Sequence, residues 1–589
     1  MFPFLGRLQR KAGLHKHAQG KHEDTIIASL LYRPSETGVQ NHPQSLPQGQ
    51  IDISEADTVR KIDTLILRAL HSPNGLALVC IENFFTGLHL VHPLFDETVF
   101  RNRCKKELWC NRPRNVFKGL EALYYAVLAL GALVSNADDF YPAILEHETG
   151  DLYVLSLSST KRSTFNIPMC IARRCFEQAK FRLTDIFEVS NLERTQALYL
   201  LSVYCQNTLN PHSCHLYSGM AVTTGIAIGL PQGRAHQSFS FDIGPHTEPR
   251  SWWCIYAHEV EMSCASGRGI VLKPPAHYML AHPADIQPPS TTRATHDMFI
   301  NIMVSLAGLL RQVFEDLYQQ YHFDRQGSRD TVRKLAQELD SWRMHLPPVF
   351  NFDRVSLTDP DHIRRQKVVL KIRYYNVQIL LYRRYVETWS RLALVCQSAA
   401  EVNSCLAAAQ KTIRLLFDTC QHESYFRTWW YNNTYLLNAA MVALAIAFIH
   451  LKDDSVDEIF SDVQKALDVF DAMSAITVAR RCATVIKEVY EVTRSLAEKL
   501  KTTSESSTTL ASNAGPDLSA SGGTGVGIAL RASMGAAPDS HSHASFQDSM
   551  LPEDIWSSIF ETGPKSGALG FAPDVDFNFD FDIDSPLMG

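Results

Sequence analysis

Residues 250–268 read RSWWCIYAHEVEMSCASGR. Trp252, Tyr256 and Glu259 stand at i, i+4 and i+7, a spacing that stacks them along one face of an α-helix. The adjacent Trp252 and Trp253 concentrate a large apolar area at one point of the chain, where aromatics usually carry packing energy. Gly267 and Arg268 read as the turn that ends the helix. A buried Glu259 needs a partner, because leaving such a carboxylate unpaired costs ~3–5 kcal/mol. Arg250 and Arg268, at the two helix ends, are the candidates. Arg250, Trp252, Trp253, Tyr256, Glu259 and Arg268 are therefore expected to form a core cluster, with a ligand pocket as the competing reading.

Helical signals extend outward from this stretch. After Asp359-Pro360, Val368, Ile372, Tyr375, Ile379 and Tyr382 make one apolar stripe, and Pro360 suits a first helical turn. Ser455 and Glu458 have the spacing of a capping box, followed by Val456, Ile459, Phe460, Val463, Leu467 and Phe470 on one face. Asn210-Pro211 opens another helix, whose Gly219, Ala221, Gly225 and Ala227 would admit a close neighbour. Alternating patterns are scarce, NGLALVCI at residues 74–81 being the nearest to a strand, and no fixed-period repeat is visible. The fold class is all-α. One large irregular helical domain over residues 51–501 follows a basic arm and linker at 1–50. A Ser/Thr/Gly/Ala-rich linker at 502–550, with little to bury, is expected to be disordered, and an acidic–aromatic segment occupies 551–589.

With 45% apolar and 20% charged residues, the 589-residue chain can build a sizeable core. A net charge of −6 is too small to mark the whole chain as a binder of polyanions. Thirteen cysteines without framework spacing suit a reducing compartment, with the thiols acting as small buried apolar groups. The N-terminus interrupts its apolar residues with Arg7, Arg10 and Lys11, unlike a signal peptide. The longest apolar run, residues 434–451, carries Asn438 and reads as a core helix rather than a membrane span. A soluble, intracellular protein is expected.

Signals for catalysis are weak. His89 and His92 stand beside Asp96 at a spacing a metal could use, although a helix-end structural role fits as well. Asp138-Asp139 resembles part of an aspartate-rich magnesium motif, but Pro142 stands where the third acid belongs. Cys104 with Cys110, and Cys170 with Cys175, lack a matching pair and read as structural thiols. No catalytic residue, cofactor or metal is assigned.

The termini carry the remaining charge patterns. Arg7, Arg10, Lys11, Lys16 and Lys21 form a basic arm with no acid before Glu23, suited to weak phosphate contact or nuclear import, or simply solvated. In LPEDIWSSIFE, Trp556, Ile559 and Phe560 lie among acids. The last stretch interleaves Phe577, Phe579 and Phe581 with aspartates and has no Lys or Arg. Repulsion among carboxylates keeps such rings apart and available to a coactivator groove, which is the pattern of an activation segment. A tail that folds back on its own domain is the alternative.

In their shared order, several of these stretches resemble the fungal-specific transcription factor domain, the helical middle homology region of fungal zinc-cluster regulators. They are NFFTGLHLVHPLFDETVFR at 83–101, RTQALYLLSVYCQ at 194–206, HLYSGMAVTTGIAIGL at 215–230, the Trp-Trp stretch and YYNVQILLYRRYV at 374–386. Gly269 and Arg384 stand where that family usually has proline. The six-cysteine zinc cluster of the family has no counterpart in this sequence, which has no Cys before Cys80 and no Cys-x2-Cys. The resemblance implies a nuclear, pathway-specific regulator, often of a biosynthetic gene cluster. DNA would be reached directly, through a zinc-cluster partner in a homo- or heterodimer, or through a zinc cluster encoded ahead of Met1. No membrane partner is expected, and an all-α small-molecule-binding protein or enzyme of the cytosol is the alternative function.

Overall fold

A computed structural model describes residues 70, 75–109, 118–136, 138–140, 167–208, 210–233, 247–283, 291–319, 325–354, 359–392, 399–423, 426, 432–451, 455–474 and 477–512. These residues are helical and include no strand. In chain order the helices are α1 Leu76–Thr86, α2 Glu97–Arg103, α3 Lys118–Leu133, α4 Ile167–Phe181, α5 Leu192–Asn207, α6 Pro211–Ala227 and α7 Thr247–Ser266. They continue as α8 Thr291–Tyr318, α9 Arg325–Met344, α10 Asp361–Leu392, α11 Ala399–His422, α12 Asn432–Ile449, α13 Val456–Ala472 and α14 Thr477–Ser512. Helix α14 thus continues past Lys501. The basic arm and the segment at 551–589 lie outside the described residues.

Neighbours in sequence pack as neighbours in space. Helices α1, α4 and α5 pack on α3, α6 joins α5 to α7, and α7 meets α8. Helix α8 touches α9 and α10, and α10 through α14 form the other end of the body. Helix α3 is apolar almost all round and buried without interruption from Ala122 to Leu133, as a helix without a polar face must be. It passes so close to α1 that a Cβ on Gly131 would fall 1.8 Å from the Cys80 carbonyl oxygen, so only glycine fits there. The apolar NGLALVCI stretch belongs mainly to helix α1, because its Ala77, Cys80, Ile81 and Phe84 supply one helical face for α3.

Local chemistry sets several helix ends. Asn191, Asn210 and Asp96 each accept a hydrogen bond from a backbone N–H three residues on, at 2.9, 3.2 and 3.1 Å, and so start α5, α6 and α2. The Ser455–Glu458 pair does not form the anticipated capping box. Ser455 has helical dihedrals and no side-chain cap bond, and Glu458 accepts from Arg414 of α11 at 2.7 Å instead. Pro360 lies immediately before α10, and its carbonyl accepts from Ile363 and Arg364. Among the described residues two helices, Thr295–Tyr318 within α8 and Asn432–Ile449, are long and apolar enough to cross a membrane. The sequence reading noticed only the second. Most of each is buried among other helices.

Candidate functional site

Helix α7 is the axis of the domain and is buried from Glu248 to Val260 without interruption. Trp252, Trp253 and Tyr256 are fully enclosed, and Arg250 and Glu259 are buried with them. The chain leaves α7 through Gly267 at φ 67°, where the Arg268 N–H bonds the Ser263 carbonyl at 3.0 Å and the Gly267 N–H bonds that of Cys264 at 3.3 Å. This paired closure needs a left-handed residue, which glycine adopts without strain. The segment at 267–283 then folds back over the tryptophans. Tyr278 meets Trp252 edge-on at 5.1 Å, the Trp253 indole N–H donates to the Ala281 carbonyl at 3.1 Å, and His282 stacks on Trp253 at 4.1 Å. A Cβ on Gly225 would lie 3.4 Å from the Trp252 ring, so α6 does come close there, whereas one on Gly219 would meet nothing within 4 Å and Ala227 is exposed.

The buried charges pair differently from the sequence expectation. Glu259 is held by neither Arg250 nor Arg268. Its carboxylate accepts from the hydroxyls of Ser218 on α6 and Ser263 one turn on, the latter at 2.9 Å. Two hydroxyl donors satisfy a carboxylate without bringing a second charge out of water. Arg268 lies on the surface beyond the helix end. Arg250 instead reaches α8, where its Nε donates to Asp297 at 2.5 Å with both groups buried. A second buried pair joins Glu261 to Arg373 of α10 at 3.2 Å, and Tyr435 of α12 donates its hydroxyl to the same carboxylate. Two ion pairs thereby tie α7 to α8 and α10, and the Tyr435 hydrogen bond adds α12, each ion needing its partner because an uncompensated buried charge is costly.

Histidines complete this polar spine. His258 of α7 shares a 2.9 Å hydrogen bond with the Ser202 hydroxyl of α5, and His92 shares one of 2.6 Å with the Tyr199 hydroxyl. Burial, reinforced by the Arg373 charge, lowers the His258 pKa to about 3, and the same two causes hold His92 well below its ordinary value. Glu261 is pushed up by burial, which Arg373 opposes. A cavity of about 20 Å³ lies among His92, Tyr199, Trp253, His258, Met303 and Arg373, room for one water. The larger concavities, 430 and 410 Å³, lie elsewhere, along α13 and α14 around Tyr490 and Arg494, with charges of both signs on their walls.

The other sequence candidates are not drawn together. His89 bonds the Phe95 carbonyl at 2.8 Å, His92 bonds Tyr199, and Asp96 caps α2, so each has its own structural partner. Asp139 accepts from the Asn136 N–H and the Asn83 amide. Cys104 and Cys175 are buried and Cys170 partly so, burial pushing the Cys104 thiol up to about 12, while Cys110 lies outside the described residues. Among the described residues no group of three or more His, Cys, Asp or Glu gathers as a metal site. The arm residues Arg7 to Lys21 and the aromatic residues Trp556 to Phe581 also lie outside them. Asp297, Arg373 and Tyr435 were missed because their partners are 47, 112 and 174 residues away in sequence. Glu261, two residues after Glu259, was the visible half of one of these pairs.

An axial helix enclosed by its neighbours, with charges paired inward and a central cavity of one water, defines a helical scaffold domain. The chain matches the fungal specific transcription factor domain over residues 81–344. It is 22% identical to an uncharacterized transcriptional regulatory protein of Schizosaccharomyces pombe, over 79% of this chain and 55% of that protein. A transcription factor of Gibberella moniliformis is 21% identical, over 71% and 54% of the two chains. The thiamine repressible genes regulatory protein of Schizosaccharomyces pombe is 20% identical, over 59% and 42%. The chain spans about half the length of the first two of these relatives.

Proposed function

We propose that the chain is a nuclear transcriptional regulator in which the helical body is a regulatory scaffold and residues 551–589 recruit a coactivator. The observation that carries this reading is the domain match at residues 81–344, around a core with no opening larger than a water among its central polar groups. DNA contact comes through a partner or through a zinc cluster outside this sequence, because the chain has no six-thiolate set of its own. Control of one pathway, such as a biosynthetic gene cluster, fits this organisation. The basic arm, Arg7 to Lys21, adds salt-sensitive phosphate contact or serves nuclear import.

The test is transfer of function. Residues 551–589 fused to an unrelated DNA-binding domain should drive a reporter in a fungal host. Replacing Trp556, Phe560, Phe577, Phe579 and Phe581 with Ala should abolish the signal, because those rings supply the area buried in the coactivator complex. Replacing only the acids should weaken it, by letting the rings collapse together and, in a salt-dependent way, by removing attraction to a basic rim. An inert fusion, or one indifferent to loss of the rings, overturns the activation role.

A further inference from the structure

Helix α12 begins with two enclosed asparagines, Asn432 and Asn433, 1% and 0% exposed. Both polar atoms of each side-chain amide, and the Thr434 hydroxyl beside them, are buried without a hydrogen-bond partner among the described residues. Because both ends of each amide are unmatched, the observation does not depend on which way either amide is turned. Buried polar groups are ordinarily paired, since an unpaired one gives up its hydration for nothing in return. Two adjacent amides and a hydroxyl left unpaired at one point call for a partner that all three can share.

The place of these groups in the helix selects the partner. The first N–H groups of a helix have no acceptor within it and form the positive end of its dipole. No acidic residue stands in the first turn of α12 to meet them. The Cα–Cβ bonds of a helix tilt toward its N-terminus, so both amides lean to the end where those N–H groups point. Tyr435, in the next turn, sends its hydroxyl to Glu261, whose carboxylate Arg373 neutralises at 3.2 Å, so that pair brings no net charge. A water would match the amides but leave the positive helix end unanswered, whereas an anion answers both. Helices α10, α11, α13 and α14 all pack on α12, and both asparagines are enclosed, so an ion of one atom suits this interior better than an organic acid. We propose that the start of α12 is a buried halide site, in which the Asn432 and Asn433 amides, the Thr434 hydroxyl and the first backbone N–H groups donate to a chloride ion. The inference is independent of the regulatory reading.

The experiment uses the full chain. Unfolding is followed by circular dichroism in sodium chloride or sodium bromide, with ionic strength held constant by gluconate, an anion too large for the site. Above the dissociation constant, each tenfold rise in halide should multiply the folded-to-unfolded ratio about tenfold, as for any ligand that binds only the folded chain. Asn432→Leu and Asn433→Leu, which remove an amide at similar volume, should each abolish that dependence. Comparing the variants with the unsubstituted chain at every concentration separates site binding from the general effect of salts on protein surfaces. Crystals grown in bromide should show an anomalous peak against the two amides, a readout that stands even where a variant fails to fold. Stability indifferent to halide overturns the proposal, as does a halide effect that both variants retain. Bromide found only at surface positions also overturns it, and leaves water as the partner of the amides.

Discussion

Helices α7 and α13 bury similar numbers of large side chains by opposite plans. On α13, Val456, Ile459, Phe460, Val463, Leu467 and Phe470 are buried, while Glu458 and Lys465 remain on the solvent side. Its one enclosed carboxylate, Asp462, lies at the margin and takes Arg414 at 2.6 Å and Lys465 at 2.8 Å, both partly exposed. Helix α7 has no such side. Its charged and polar groups point inward to partners on α5, α6, α8, α10 and α12. Stability on α13 is thus a matter of apolar area, with charge at the edge. On α7 it also depends on the paired buried groups keeping their partners, because a lost partner exposes the full desolvation penalty of the other.

The sharpest test of that contrast is removal of an indole from α7. Trp252→Ala should destabilise the domain by ~3–5 kcal/mol, the range for emptying a fully enclosed aromatic site. Denaturant unfolding followed by far-ultraviolet circular dichroism reads it directly. An unchanged midpoint together with altered regulation would assign Trp252 to a ligand or partner surface. Arg373→Met comes next, at ~3 kcal/mol, because it strands Glu261 beside Tyr435 in the interior. Glu261→Gln in the same background should restore a large part of the loss. Recovery would show that the penalty comes from the unpaired charge rather than from lost packing.

These two helices also divide what the sequence made legible. On α13 a one-sided stripe at 3.6-residue spacing named its buried residues, because one face meets the core and the other meets water. On α7 the same spacing found the tryptophans and Tyr256 but could not say where Glu259 would turn, since every direction is interior. The nearest arginines in sequence were the natural guess. The fold instead supplied Ser218 and Ser263 to Glu259 and sent Arg250 to Asp297. Such pairings join residues whose proximity is created only by tertiary packing, so no local pattern carries them. The same limit applies to α10, where the stripe marked Ile372 and Ile379 but not the buried Arg373 between them.

Acid should separate the two plans further. His89 and His258 have pKa values lowered to about 3, chiefly by burial, and His296 to about 4 for the same reason. For depressed groups the stabilising linkage is complete above the ordinary value of 6.5 and is lost as pH falls toward the folded values. Each such histidine can contribute up to ~1.4 kcal/mol per pH unit within that window. Glu261, whose pKa is raised, acts with the opposite sign, its contribution being lost as pH rises, and so only partly offsets the histidines at low pH. Denaturant midpoints should therefore fall steadily below about pH 6.5. His258→Asn should flatten the slope by about one proton, at the expense of stability at neutral pH. A profile flat down to pH 4 would place these imidazoles in contact with water.

The smallest effect concerns the start of α13 and checks how far local sequence rules can be trusted at its solvent side. Ser455 and Glu458 carry the capping-box spacing, and a working N-cap serine is worth ~1 kcal/mol. Here the Ser455 backbone is helical, at φ −66° and ψ −15°, and its hydroxyl makes no cap bond. An N-cap residue that bonds the third backbone N–H needs extended dihedrals, such as the −149° and 176° of Asn191 at α5. Ser455→Ala should therefore change stability by less than ~0.5 kcal/mol, the range for surface sites without a special role. Asn191→Ala, which removes a 2.9 Å cap bond at a half-buried helix start, should cost ~1 kcal/mol. Equal losses at the two positions would mean that Ser455 does cap α13 in solution, with the extended backbone its sequence suggests.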